Sequence, residues 1–516
     1  MKNINKKVIL ALSTIVLLFS SCADDLDTKP KVELSLENLL IKDPNAIQGL
    51  LSKMYGTFAL SGPSGPDSSD ISGPNAGETA FLRGIINLQD FTADGMKNRW
   101  GDDGLDQLTT ASNWDPNNKF FRYLYDRVYY IVPQTTNIIL ALETVDVPNE
   151  AQVTSELRFI RALAYYYMID CFGKGVLVNE SNFGSTVPLT ESSRTELFTY
   201  VEQELLAIEG DMPATNGYGR ANKAVVRMLL AKLYLNAEVY TGTARWNDAL
   251  SYTSKVITEG NYTLAQNFVS NFSGDNNTST EIIFPLIADA VVSQSYGNTT
   301  YLVNGSTSTE TMNINDFGTT DAWTGHRATK AWYSLFGNLA TSTDDRAKLF
   351  WTTGHTYEMT DYKEWSNGYP AVKFRNKNFT GTSISTSFSG TDFPMFRLAD
   401  AYLMYAECVK RGASGGSDSQ ALDYVNQIRT RAHTSTITSG ELTLNFILDE
   451  RARELNLEGH RRTDLIRFNK FTGGSYLWPW KGNTVNGTSI PDTYKLFPIP
   501  ATALQSNLNL TQNPGY

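Results

Sequence analysis

The chain has 516 residues, a formal charge of −10 and only three cysteines. That length buries a large core, while three cysteines form no disulfide framework to staple it. The acidic balance would repel a phosphate backbone, so nucleic acid is excluded as a partner.

The chain opens on MKNINKK, which carries four positive charges including the amino terminus and no acid, and continues as an apolar to small-residue run from Val8 to Ser21. This is the pattern of a secretory signal peptide over 1–21, since its apolar core falls short of the ~20 residues that a membrane span requires. A small-residue pair, Ser20-Ser21, stands before Cys22. That register predicts cleavage before Cys22 and acylation of its thiol, which would hold the mature chain on a membrane. Three carboxylates follow in Ala23-Asp24-Asp25-Leu26-Asp27. Too polar to fold, 22–32 reads as a solvated tether, and 33–516 reads as a single domain.

Within that domain the Gly/Ser/Pro-rich run Ser61–Gly77 is a long loop, and loops of this length in compact domains tend to carry function. Ala151–Asp170 places Leu157, Ile160, Leu163, Ala164, Tyr167 and Met168 on one face at helical spacing. Ala224–Tyr240 and Trp246–Ile257 pattern as two helices whose small and large residues allow close approach. They form a tetratricopeptide-type pair near 221–260. A second pair, Phe396–Val409 and Ala421–Ala432, falls within 394–432. Between them an insertion of about 262–392, rich in Thr, Ser, Asn and Gly, holds short β-like runs such as Glu281–Phe284. The fold class is therefore mainly α, with helix pairs as scaffold, loop-rich insertions and a few short strands. Cys171 and Cys408 sit in apolar helical patterns and read as buried.

From 449 to 467, Arg451, Arg453, Glu454, Glu458, Arg461, Arg462 and Asp464 alternate in sign along what reads as helical surface, a pattern suited to locking a helix–loop–helix corner. His326, His355, His433 and His460 stand at no metal-ligand spacing. No nucleophile elbow, Walker loop or dinucleotide fingerprint occurs, so the chain is not read as an enzyme. Aromatic residues make up 12%, with 26 Tyr and 9 Trp. That exceeds what a core demands, and flat amphipathic rings are what sugar-binding surfaces are built from.

The run Glu156–Val178, the stretches DERAREL from Asp449 and EGHRRTDLIR from Glu458, and the endings Phe497–Pro500 and Gln512–Tyr516 together resemble the SusD/RagB family. The resemblance covers nearly the whole mature chain. It implies a SusD-like fold and a glycan-binding lipoprotein at the outer membrane of a Bacteroidota bacterium, paired with a SusC-like TonB-dependent transporter. In that phylum acidic residues behind the lipidated cysteine resemble a surface-export signal. Leu233–Ala237 with Val239–Gly242, Tyr296-Gly297 leading to Thr300–Val303, Gly318–Thr320 ending at Trp323, and Trp478–Gly482 with Asn486–Ser489 are most similar to the starch-binding member.

By motif, that resemblance implies an aromatic cradle of Trp100, Tyr301 and Trp323, with Arg83 as hydrogen-bonder. Polar contacts fall on Asp103, where the family member has an amide, and Asn75, where it has an acid. The implied ligand is an α-glucan such as starch or a maltooligosaccharide. The alternatives are laminarin or another β-glucan, or a transporter lid with little sugar affinity of its own. No cofactor is implied. A structural calcium near Asp392 follows only by similarity, and one acid is far from the about six to eight oxygens that calcium takes.

Overall fold

The computed structural model describes residues 35–101 and 104–516. The signal peptide, Cys22 and the tether lie outside the described residues, as does Asp103. Among the described residues no helix is long and apolar enough to cross a membrane.

Helices dominate and pack in sequence, each on the next. Lys119–Leu142 meets Glu150–Cys171, which meets Arg194–Glu209, which leads on to Lys223–Leu235 and Trp246–Glu259. Trp246–Glu259 then packs on Leu398–Lys410, which is flanked by Asp418–Arg431 and Leu444–Leu455. Such a row, in which neighbours bury one another's apolar faces, is the logic of helical repeats. The starts are set locally: the side chains of Asn222, Ser417 and Thr443 accept from the N–H groups of Val225, Gln420 and Phe446.

Two predicted helices are built differently. The Ala224–Tyr240 pattern breaks at Asn236, whose amide donates to the Lys232 carbonyl at 2.9 Å, and resumes as the short helix Ala237–Thr241. A short polar side chain thus competes with the helix ladder. Phe396 does not begin a helix either. Phe393–Arg397 is a strand, antiparallel to Ile282–Leu286 of the insertion, and the helix starts at Leu398. Pro285 and Pro394 face one another where the register slips, as expected for residues without a ladder donor. A second short ladder, Met96–Asn98 against His326–Ala328, ties the insertion to the amino-terminal third.

The charged run of 449–467 is not a surface feature. Glu454 is fully buried and accepts from Arg346 at 2.9 Å, Arg397 at 2.7 Å and Arg431. Glu458 accepts from Arg397 at 2.6 Å and Lys373 at 2.5 Å, and Glu281 accepts from Arg397 and Arg431, both at 2.8 Å. Beside them Arg461 grips Asp94 through two bonds of 2.7 Å, and Arg451 bridges Asp464 and Asp400, both at 2.8 Å. Arg462 has no acid partner in this set; its guanidinium lies 4.1 Å over the Phe497 ring.

Burial alone would raise the pKa of Glu454, but Arg431, Arg397 and Arg346 outweigh it and hold the carboxyl far below its ordinary range. Glu281, Glu450, Glu407 and Asp464 are depressed in the same way. A depressed folded-state pKa contributes stability above the unfolded value, here 4.5 for glutamate, and that contribution is lost as the pH falls. The urea midpoint should therefore drop on acidification below that value. Arg397→Ala, which removes one partner from each of three buried carboxylates, should cost about 3–5 kcal/mol in urea unfolding at neutral pH.

Candidate functional site

A cavity of about 790 Å³ opens between the loop that precedes the Phe81–Ile86 helix and the insertion. Its walls include Asn75, Glu78, Arg83, Trp100, Tyr296 and Trp323, with Asp67 at one side.

Trp100 follows the Met96–Asn98 strand, and its main-chain N–H is fixed by Asn98 Oδ1 at 2.7 Å. Its indole N–H donates to the Trp323 carbonyl at 3.2 Å. Gly325 lets the ring lie flat on the backbone, since a Cβ there would sit 2.4 Å from Trp100 Cζ2. Trp323 is held from both ends: its main-chain N–H donates to the Asn304 carbonyl at 2.7 Å, and its indole N–H to Asp321 Oδ2 at 2.8 Å. The two indoles stand 6.3 Å apart with planes inclined by 54°.

The third ring is Tyr296, 6.1 Å from Trp323 and inclined to it by 49°. Tyr301, the tyrosine expected from the motif, does not face the cavity. It lies on the Thr299–Gly305 helix with 0% of its surface exposed, and its hydroxyl donates to Asn87 Oδ1 at 2.7 Å. Burial pushes that hydroxyl up to about 12, so it is a neutral donor. Tyr301 is a foundation: Trp100 rests 6.1 Å from it, and the Arg83 guanidinium stacks 4.4 Å over its face.

His326 completes the lower layer, 4.6 Å from Tyr301 and 5.3 Å from Trp100. Burial, aided by Arg83 and Arg327, holds it well below the usual histidine range, so an uncharged ring underlies the indole.

Arg83 is nearly buried, and its Nε has no protein partner. The nearest acid oxygen, on Glu78, is 3.8 Å away, while Glu78 pairs more tightly with Lys119 at 2.9 Å. Arg83 nonetheless lines the cavity, where guanidinium N–H groups can donate to a ligand's oxygen atoms. Asn75 is exposed and lines the same cavity. The structure thus brings Trp100, Trp323, Arg83 and Asn75 to one cavity and places Tyr301 beneath it. Tyr296 and Glu78 were missed as site residues, although Tyr296 lies inside a run that carried the resemblance. Tyr296 precedes glycine in a polar stretch, whereas Tyr301 precedes Leu302-Val303, which marks a core helix.

Asp392 spends both carboxylate oxygens on protein donors, the Tyr218 hydroxyl and the Ala288 N–H. Among the described residues no three His, Cys, Asp or Glu side chains gather as a metal site. This donor set does not fit a calcium cage. Burial also raises the Asp392 carboxyl, which disfavours the charged form that a cation would need.

A profile of the SusD family matches residues 235–516. The starch-binding protein SusD of Bacteroides thetaiotaomicron is 34% identical over 96% of each chain. This chain belongs to the SusD family. It is a SusD-like glycan-binding protein of a family that binds rather than cleaves its ligands. Two solved structures share the fold. A SusD superfamily protein from Bacteroides vulgatus superposes with a TM-score of 0.72 at 19% identity, covering 92% of this chain and 99% of that one. Surface glycan-binding protein A of B. thetaiotaomicron, solved with laminarihexaose, superposes with a TM-score of 0.69 at 20% identity, covering 91% and 99%.

The two layers predict different responses to truncation. Tyr301→Ala, which hollows the foundation, should cost about 3–5 kcal/mol in denaturant unfolding. Trp323→Ala, whose ring faces the cavity, should cost well under half of that.

Proposed function

We propose that this protein captures starch or maltooligosaccharides at the outer surface of the cell, held there by acyl chains on Cys22, and passes them to a SusC-like TonB-dependent transporter. The observation that carries the α-glucan reading is that the rings are mutually inclined rather than coplanar, by 54° between Trp100 and Trp323 and by 49° between Trp323 and Tyr296. An arc of this kind matches the outside of a helical α-glucan, whose successive sugars rotate, better than a flat ribbon. The relation to a starch-binding protein across 96% of both chains supports the same choice.

Each sugar face laid on a ring contributes ~1 kcal/mol, and Arg83 donates to hydroxyl oxygens while Glu78 accepts from hydroxyl hydrogens. These bonds replace bonds to water, so a short oligosaccharide binds with a dissociation constant on the order of micromolar to millimolar. Anchoring beside the transporter offsets this by raising the local concentration.

A β-glucan is the second reading, favoured by the shared fold with a protein solved around laminarihexaose. Native electrophoresis separates the two. Mobility should fall in gels containing amylopectin and stay unchanged in gels containing laminarin; the reverse pattern would establish the β-glucan reading. Replacing Trp100, Tyr296 and Trp323 together by alanine should abolish retardation, and persistence of binding would remove the cavity as the site.

A further inference from the structure

The strip of rings does not end at the cavity wall. Phe388 stands 4.9 Å from Tyr296 with its plane inclined by 44°, so Trp100, Trp323, Tyr296 and Phe388 follow one another at 6.3, 6.1 and 4.9 Å. The inclination stays similar at every step, so Phe388 adds a fourth ring to the row, tilted to its neighbour as the others are.

Trp100 and Trp323 lean on the hydrophobic core, but Tyr296 and Phe388 do not belong to it. A half-buried phenylalanine that serves no core leaves apolar surface unexplained by folding. Phe388 is nonetheless held firmly. Its carbonyl accepts from Thr386 Oγ1 at 2.6 Å and Asn376 Nδ2 at 3.2 Å, and the adjoining Ser389 N–H donates to Thr300 Oγ1 at 2.9 Å.

One residue, through its main chain and its side chain, links this segment to the cavity. Asn304 receives the Trp323 N–H on its own carbonyl, donates its amide to the Ser387 carbonyl at 2.9 Å, and accepts from Thr319 Oγ1 at 2.7 Å. Trp323 and Phe388 are thereby set by the same residue and keep their spacing. Exposed hydroxyls lie alongside, on Thr320 and Ser387, 3.0 Å apart. Flat apolar rings interleaved with hydroxyls and amides suit a carbohydrate chain better than an apolar partner.

We infer that Phe388 forms an outer subsite that continues the strip beyond the cavity and makes the protein selective for longer glycan chains. This rests on the α-glucan reading above. A short oligosaccharide fills the Trp100–Trp323–Tyr296 cradle and does not reach Phe388, whereas a longer one lays an additional sugar across it.

Titration calorimetry with α-1,4-glucan oligosaccharides of three and seven units tests the inference. With Phe388→Ala, affinity for the longer ligand should fall several-fold while affinity for the shorter one stays within twofold. Equal losses on both ligands, or no loss on the longer one, would overturn the subsite and leave the α-glucan reading intact. If the unaltered protein binds neither oligosaccharide, both readings fall together. Phe388→Leu keeps an apolar side chain of similar bulk without the flat face, and should show the same length-dependent loss if the alanine form does not fold.

Discussion

Charge can be buried only where each ionised group meets its opposite, and around Glu454 that condition joins parts of the chain far apart in sequence. Arg346 comes from the insertion, Arg397 from the strand that precedes a scaffold helix, and Arg431 from the end of its partner helix. Glu281 and Lys373, both in the insertion, join through Arg397 and Glu458. The network therefore determines how a loop-rich insertion with little regular structure sits on a row of helices. An apolar patch could supply the same adhesion but would tolerate sliding, whereas bidentate guanidinium pairs do not.

Placement of the insertion matters because the site is made at its border. The Met96–Asn98 and His326–Ala328 ladder brings Trp100 beside Trp323, and the close approach of Gly297 to Gly77 brings Tyr296 over the loop that holds Asn75 and Glu78. Under the half-buried rings that line the cavity lies a second layer of Tyr301, His326 and Phe91, in mutual edge or tilted contact. Side chains locked by packing hold the cavity walls in a conformation ready for ligand. Less ordering entropy is then lost on binding, which matters most for weak, hydroxyl-rich ligands.

Much of the scaffold was legible in the sequence, because helical burial leaves a periodic trace: Ala151–Asp170 patterns clearly, and the helix runs Glu150–Cys171. Phe396 was misread since a short apolar run fits either period, and its strand partner lies at the far end of the insertion. Alternating charge in 449–467 read as pairs that lock a helix–loop–helix corner, and Arg451 with Asp464 makes such a pair, but the depth of burial left no local trace because Arg346, Lys373 and Arg397 are distant in sequence. Tyr301 illustrates a different limit. Motif similarity locates a neighbourhood, while the choice between two tyrosines five positions apart depends on which way each ring points.

The polar wall of the cavity has one further consequence. Among the described residues, Glu78 is countered by Lys119 at 2.9 Å and by Arg83 at 3.8 Å, and Asp321 spends a carboxylate oxygen on the Trp323 indole. Charges paired at such short range project little field into solution and do little to draw in or repel an ion from afar. Encounter is then governed by diffusion and by how many equivalent stretches a polymer offers per collision, and dissolved electrolyte has little long-range attraction to screen.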